Sequence, residues 1–591
     1  MTRRSSSVHD GSPSARRRRL VGLVTALLAA AILVPAAPHG VAPVGAASWP
    51  VACHESVRPQ ARADELMQNR YRLGNHPIVT LPADPRWSEN PLRDNNWQYQ
   101  YQSLRFVNDL LWAWNSTGQT RYRDRALFLL RDWYVSNPRS APRSPYSWND
   151  HSTAWRAMTY ACAARLVPMR TWLRDALVRH GRTLADPDFY VWQGNHALNQ
   201  SIGLLEVGLV LGRSDWNTLA RDRMRRLVVA SVDSQGVSNE QSLWYQRYNY
   251  RQYKLAQQRL RAAGLTPGSA FARVDLMPAV LVAGSTSGGL LEMIGDSDRI
   301  TIPMPGPDDP KPPRVKLYSA GYLFARTGYG TTRAAADETF LSVRFGRGRR
   351  FHGHSDGAAL TLAAWGTRLL VDPGKYTYNP GAWRSFFIGR SAHNVVTVDG
   401  LTWHPSAETR RLSHSVTSAY ADIRLRTSGY TGVTHTRRIT WSRGLDFIVV
   451  EDRLSSSSRH TYRQLWHLPE TAAPVLSATM ARTTRARGNV LIRELVGSPT
   501  LRVVKGRTSP IQGWISYTAT HKVAAPVVIA SRTGTNVRYL TLIVPAEGTP
   551  QASVSGLRLT AGGYRMTVTI GGRAERISAE GSTISVTPVG G

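Results

Sequence analysis

At Asp296 the hydrophobic pattern of this 591-residue chain changes period. Before that point apolar residues recur every three or four positions. In residues 101–118, Leu104, Val107, Leu110, Leu111 and Trp114 fall on one helical face, and Gly118 stops the run. Residues 121–138 repeat the theme and close on Asn137-Pro138, where the proline disfavours another helical turn. STAWRAMTYACAARLVPM, NQSIGLLEVGLVLG and RDRMRRLVVASVD continue the series. Successive helices joined by short loops predict hairpins wrapped into a toroid. No strict sequence period accompanies them, which argues against a regular repeat array. Residues 296–317 then hold six prolines and four aspartates, the composition of a linker. Beyond it come short β-prone runs such as YLFAR, TFLSVRFG, HNVVTVDG and LDFIVVEDRL, separated by Gly, Asp and Ser turns. Such runs without intervening helices predict stacked antiparallel sheets. The expected fold class is α+β multidomain: a signal peptide over 1–47, an (α/α) toroid over 48–300, a proline-rich linker over 301–317 and an antiparallel β-sandwich over 318–591.

The first 47 residues read as an export signal. Arg16 to Arg19 form a positive start, an apolar stretch of 15 residues runs from Leu20 to Val34, and VGAA at 44–47 offers small residues to a peptidase. That stretch is too short to favour a bilayer span. RRRLV at 17–21 leaves the general and twin-arginine routes both open. The expectation is a secreted protein, extracellular or in the cell envelope, cleaved near Ala46 or Ala47 and without stable membrane insertion. Cys53 and Cys162 are the only cysteines. An oxidising compartment permits one disulfide, and two free thiols fit the sequence equally. The formal charge is +34, and removing the signal's six Arg and one Asp leaves about +29. A basic exported chain suits a polyanion: nucleic acid, an anionic envelope or an acidic polysaccharide. Arginine-rich codon usage gives the same balance, so charge alone does not choose.

FHGHSDGAALTLAAWGTRLLVDPG, residues 351–374, sets two histidines around one glycine ahead of a strand that ends on Asp372. SAHNVVTVDG then places His393 at the start of another strand. From His354 it is 18 residues to Asp372, then 21 more to His393. Neutral imidazole and carboxylate are the usual donors for a zinc-type ion without thiolates. Residues two apart share one face of a strand, so His352 fits the same ion, and three unrelated polar residues at strand ends fit the spacing too.

Taken together, HxHxD, DPG and AHN in one window resemble the β-sandwich core of the heparinase II/III family of polysaccharide lyases, with its related alginate and oligoalginate lyases. The resemblance covers roughly residues 87–470 and is strongest over 345–400. It implies a toroid followed by a β-sandwich and cleavage of a uronate polymer. It also implies a catalytic His352 and one structural divalent metal, usually zinc, on His354, Asp372 and His393. VWQGNHALNQSIGLL, residues 191–205, resembles the family's Asn-His segment, so that Asn195 and His196 neutralise a uronate carboxylate. Read from the residues alone, a helix-capping Asn beside an exposed His serves as well. GVSNEQSLWYQRYNYRQY, residues 236–253, resembles the family's EHSPxYH segment and implies a catalytic Tyr245. Leu243 and Gln246 depart from that pattern, and Tyr248 is the neighbouring alternative. Arg156 and Arg384 stand where the family tends to carry basic residues near the cleft, which implies substrate contacts. Tyr376 and Tyr378 join them as cleft-lining residues.

The chemistry expected is β-elimination. Neutralising a uronate carboxylate stabilises the aci-carboxylate that forms when the C5 proton leaves. A base must take that proton and an acid must assist O4. Tyr245 does both if the two groups lie on one face of the sugar, and His352 is the base if they lie on opposite faces. Tyrosine ordinarily titrates near pH 10, and a basic cleft is expected to lower that value. Two other readings stand beside this one. A toroid-fold glycoside hydrolase needs two carboxylates; Asp150, Glu206 and Glu240 are at hand but form no convincing pair. A binding protein for an anionic envelope polysaccharide needs no catalytic group.

Overall fold

The computed structural model describes Pro50, Cys53, His54 and residues 56–590. The expected export signal and its cleavage point lie outside those residues. Among the described residues, eleven α-helices between Pro59 and Ala283 precede the first sandwich strand, Val315–Tyr318. None of these helices is long and apolar enough to cross a membrane.

The helices divide by burial. Asp150–Leu166 and Gly194–Leu211 are buried around nearly their whole circumference for most of their length, so they form the inner wall of the helical domain. Thr120–Ser136, Thr171–Ala185 and Ser214–Ser231 bury one stripe and show the other to solvent, as outer helices do. Two caps fix where functional helices begin. The Asn149 side chain accepts from the backbone N–H groups of His151 and Ser152, and Ser242 accepts from that of Tyr245. Cys53 and Cys162 are joined in a disulfide that ties the N-terminal segment to the inner helix Asp150–Leu166. The bridge spans 109 residues of sequence. A loop of that size restricts the unfolded chain strongly, so Cys53→Ser/Cys162→Ser is expected to lose about 2–4 kcal/mol of stability. Denaturant titration with thiol quantification checks this; an unchanged midpoint counts against it.

The β-region is built on three large stacked antiparallel sheets rather than the two of a simple sandwich, with two small two-stranded sheets over 507–524 beside them. Five strands between Val315 and Leu370 form the first sheet in sequence order. The second, of ten strands, is built on two long strands, Phe447–His467 and Pro526–Ala546, paired from Ile448 opposite Ile543 to His467 opposite Val527. The third is a four-stranded meander over 553–589. Strand Tyr322–Arg326 shows why YLFAR lacks alternation. Leu323 and Ala325 pack toward the ten-stranded sheet, while Tyr322 and Phe324 pack on Leu243, Val280 and Leu281 of the helical domain. A strand covered on both faces reads as a continuous apolar run.

This stacking positions the site. The HGHSD loop enters strand Leu360–Ala364, and the segment carrying Asp372 to His393 leaves strand Thr367–Leu370. These strands are antiparallel neighbours, so both loops emerge at the same end of the first sheet, where the His352 backbone is hydrogen-bonded to Glu240 and Asp296.

Candidate active site

The starts of the two inner-wall helices and of helix Leu243–Ala262 meet three loops at the helix–sheet junction. The Tyr245 ring lies flat on His352, with ring centroids 3.4 Å apart and planes 7° apart. Its hydroxyl is 2.9 Å from that of Tyr378, which lies 3.4 Å from His352 Nδ1. Asn195, at the start of Gly194–Leu211, donates its backbone N–H to Glu240 Oε1 at 2.9 Å and its amide to Oε2 at 3.1 Å. Glu240 Oε2 is in turn 3.6 Å from His352 Nε2. His196 places Nδ1 2.7 Å from Asp150 Oδ2 and stacks on His151, with 43 % of its side chain exposed. Thus Asn195, His196, Tyr245, His352 and Tyr378 gather in one cluster at the helix–sheet junction.

The centre of the cluster is Asp296, which the sequence pattern consigned to the linker. Its buried carboxylate accepts from Arg384 Nη1 and Nη2 at 2.5 and 2.9 Å, and pairs with His352 Nδ1 at 3.1 Å and His354 Nε2 at 3.0 Å. Burial alone would raise its pKa; the hydrogen bonds from both histidines and Arg384 overcome this and hold it well below the ordinary carboxylate range. Two glycines allow the loops to close on one another. A Cβ on Gly353 would stand 2.2 Å from Gln241 Oε1, and one on Gly295, at φ +68°, would stand 2.4 Å from the Gln241 carbonyl oxygen. That is why a glycine separates the two histidines.

Tyr245 departs from expectation in one respect. Burial is the largest influence on its phenol, and the nearby Asp296 and Glu240 carboxylates add to it; together they outweigh the Tyr378 hydrogen bond and push the pKa well above its ordinary value. The overall positive charge of the chain does not lower it, because burial dominates and the Asp296 and Glu240 carboxylates act in the same direction. Tyr248 stands one helical turn on, stacked on Trp244 and accepting from Asn199 Nδ2 at 3.3 Å.

Two residues expected at the cleft as substrate contacts are engaged elsewhere. Arg156 is completely buried inside the helical domain, donating to His180 Nε2 at 2.9 Å and the Gln102 carbonyl at 2.6 Å, with Trp133 3.5 Å beneath its guanidinium. Burial lowers its pKa to about 9. Tyr376 accepts from Lys522 Nζ at 3.1 Å and packs beside Trp383 and Phe387. Arg384 is at the site, but both terminal nitrogens are committed to Asp296. The acids weighed for a hydrolase are similarly occupied: Asp150 by His196, Glu240 by Asn195, and Glu206 by Arg165 at 2.6 Å.

The residues expected to bind metal lie side by side. The His354 and His393 rings are 5.3 Å apart, and His393 Nδ1 hydrogen-bonds Asp372. No group of three His, Cys, Asp or Glu among the described residues is drawn together as a formed metal site. Yet His354 Nδ1 and His393 Nε2 are buried without a hydrogen-bond partner, and so is Asp356 Oδ2, the last member of HxHxD. Buried donors left unpaired beside a carboxylate fit a divalent ion. Asp356 went unnoticed in the sequence although its motif was recognised.

Family models for the heparinase II/III N-terminus and the heparinase II/III-like C-terminal region match residues 54–266 and 319–555, well over half of the chain together. The chain belongs to the heparinase II/III family of polysaccharide lyases. This family member has the fold of solved lyases. Heparinase III superposes with a TM-score of 0.75 at 16% identity, covering 91% of this chain and 92% of that one. Heparan sulfate lyase HepC from Pedobacter heparinus gives 0.64 at 16% identity over 91% and 90%. Chondroitin AC lyase of Streptomyces coelicolor A3 gives 0.56 at 12% identity over 91% and 86%. Identities this low establish the fold alone. No curated protein sequence matches the chain. The heparinase II/III models end at 555, so nearly all of the four-stranded meander lies beyond them.

Proposed function

We propose that this lyase is exported and cleaves a uronate-containing polysaccharide of the glycosaminoglycan class by β-elimination. The observation that carries the reading is the Tyr245–His352 stack, set between the Asn195–Glu240 pair and Asp296. Asn195 and His196 receive the uronate carboxylate at a helix start, where the helix dipole also favours an anion. Asp296 engages Nδ1 of His352, which leaves Nε2 as the basic nitrogen. The C5–H bond breaks, its proton passes to Nε2, and Asp296 and Glu240 stabilise the imidazolium that forms. A C4–C5 double bond forms as the C4–O4 bond breaks. O4 keeps the electron pair and takes the phenolic proton of Tyr245, and exchange with water resets both side chains. The raised pKa of Tyr245 supports its role as acid, because the phenol is protonated before the reaction. The Cys53–Cys162 disulfide supports export to an oxidising compartment.

The deciding experiment offers the protein heparan sulfate, chondroitin sulfate and alginate. A new ultraviolet-absorbing unsaturated uronate at the non-reducing end is expected from at least one. Release of saturated ends only would replace the reading with a hydrolase, and binding without any new ends would replace it with a carbohydrate-binding protein.

One divalent metal, zinc by donor type, belongs to the same proposal. His354, Asp372 and His393 would hold it, and it would brace the two loops that carry His352 and Tyr378. Elemental analysis is expected to find about one equivalent, and chelation should lower the melting temperature of the wild type but not of His393→Ala. Metal-free wild type with unchanged melting in chelator would remove the metal from the proposal.

A further inference from the structure

We infer that exposed arginines beside the cleft form a second, non-catalytic track that holds the acidic polysaccharide chain where it leaves the catalytic groups. The inference rests on the lyase reading only for the identity of the polymer. The track begins on GRGRR, residues 346–350, which ends two residues before His352. Gln241, next to Glu240, pins this loop to the helical domain. It donates to the carbonyls of Arg347 and Gly348 at 3.2 and 3.0 Å and accepts from the Arg350 N–H at 2.7 Å. On its other side the loop is fastened to the edge of the ten-stranded sheet. Gly346 and Thr409 exchange backbone hydrogen bonds of 2.7 and 2.8 Å, and the Arg349 N–H donates to the Pro405 carbonyl at 2.7 Å.

Thr409 opens the edge strand Thr409–Val416, and the next two residues are Arg410 and Arg411, both exposed at the rim but on opposite faces of the strand. Arg426 on the neighbouring strand Tyr420–Thr427 lies directly opposite Arg410 and is exposed as well. Like charges directly opposite each other in a sheet repel, so this pair is unfavourable without a counter-charge. Two buried arginines of the same sheet are matched instead: Arg438 to Asp422 at 2.8 Å and Arg437 to Asp452 at 2.7 Å. Among the described residues, Arg410, Arg411 and Arg426 have no ion-pair or side-chain hydrogen-bond partner. Glu408 is the neighbouring acid and leaves the cluster net positive.

Edge strands carry charges to resist aggregation, but that need would spread them along the strand. Here the cations gather at the end tied to the HGHSD loop, and the strand continues as Leu412, Ser413, His414 and Ser415. Guanidinium groups match carboxylate and sulfate oxygens two at a time. A polymer bearing both along its length supplies the missing counter-charges.

The test compares the full protein with Arg410→Gln/Arg411→Gln/Arg426→Gln, using heparan sulfate polymer and its tetrasaccharide as probes. The variant should bind the polymer about tenfold more weakly, the combined effect of three exposed charge contacts. Its affinity should fall less steeply with salt, its melting temperature should equal or slightly exceed that of the wild type as the opposed charges are removed, and its tetrasaccharide binding should match. Where the polymer is cleaved, KM should rise by the same factor with kcat unchanged. If heparan sulfate is bound but not cleaved, the lyase reading fails while the affinity difference still upholds the track. Equal polymer affinity in the two proteins overturns it, whether or not cleavage occurs. Equal polymer affinity with lost binding to anionic phospholipid vesicles overturns it in favour of a membrane surface.

Discussion

Tyr245→Phe is expected to remove nearly all turnover, by about 10²–10⁴-fold, while polymer binding stays near that of the wild type. The substitution deletes one hydroxyl and its hydrogen bond to Tyr378. The ring remains available to stack on His352, so the cleft keeps its shape. Tyr248→Phe is the control. Its hydroxyl meets Asn199 rather than Tyr378 or His352, so activity should change little. The pH profile adds a separate check. Burial and two nearby carboxylates hold the Tyr245 phenol well above its ordinary pKa. The acid form therefore persists as pH rises through about 10, where an unperturbed tyrosine would ionise. The alkaline limb of kcat should show no loss there from this group. Near-full activity in Tyr245→Phe with a dead Tyr248→Phe would move the acid one helical turn. Full activity in both would remove tyrosine from the mechanism.

The order of architectures was legible because hydrophobic period survives without tertiary knowledge. Helical spacing before Asp296 and unbroken apolar runs after it gave helices first and sheets second. His352, His354, Asp372 and His393 were legible because they cluster in one short window of sequence. Asn195 and Tyr245 carried a recognisable neighbourhood as well. The third sheet was not legible, since a meander packed on a larger sheet has the same local pattern as any other. Arg156 was misplaced although a signal existed. It sits in STAWRAMTYACAA, a run small or apolar on every side, and a helix without a polar stripe is buried all round. A cation within such a run belongs to the core. Asp296 was hidden for the opposite reason. Its neighbours are those of a surface turn, and its partners lie 56, 58 and 88 residues away. Only the convergence of three loops reveals it.

Asp296→Asn should therefore be the most damaging single change outside the groups that touch substrate. An amide has one acceptor oxygen for four incoming donors, and its own N–H groups would face two of them. The Arg384 charge would remain without its partner in a largely buried position, a loss of about 3–5 kcal/mol when one member of a buried pair is removed. The sign of the pH dependence follows from the depressed pKa of Asp296. Its contribution to stability is present above the ordinary carboxylate value of about 3.9 and is lost as pH falls through the folded value. Wild type and variant should differ most at neutral pH and converge in acid. Activity should fall at least about 100-fold, because His352 loses the group that holds Nδ1 and balances the imidazolium. Instability alone would also reduce activity, so the decisive comparison is made in the background of His352→Ala. There, adding Asp296→Asn should lower the melting temperature again but cost little further turnover, as residues acting through one another are not additive. A second full loss of turnover in the double variant would show that Asp296 works independently of His352. Wild-type turnover in Asp296→Asn alone would end its role in the chemistry.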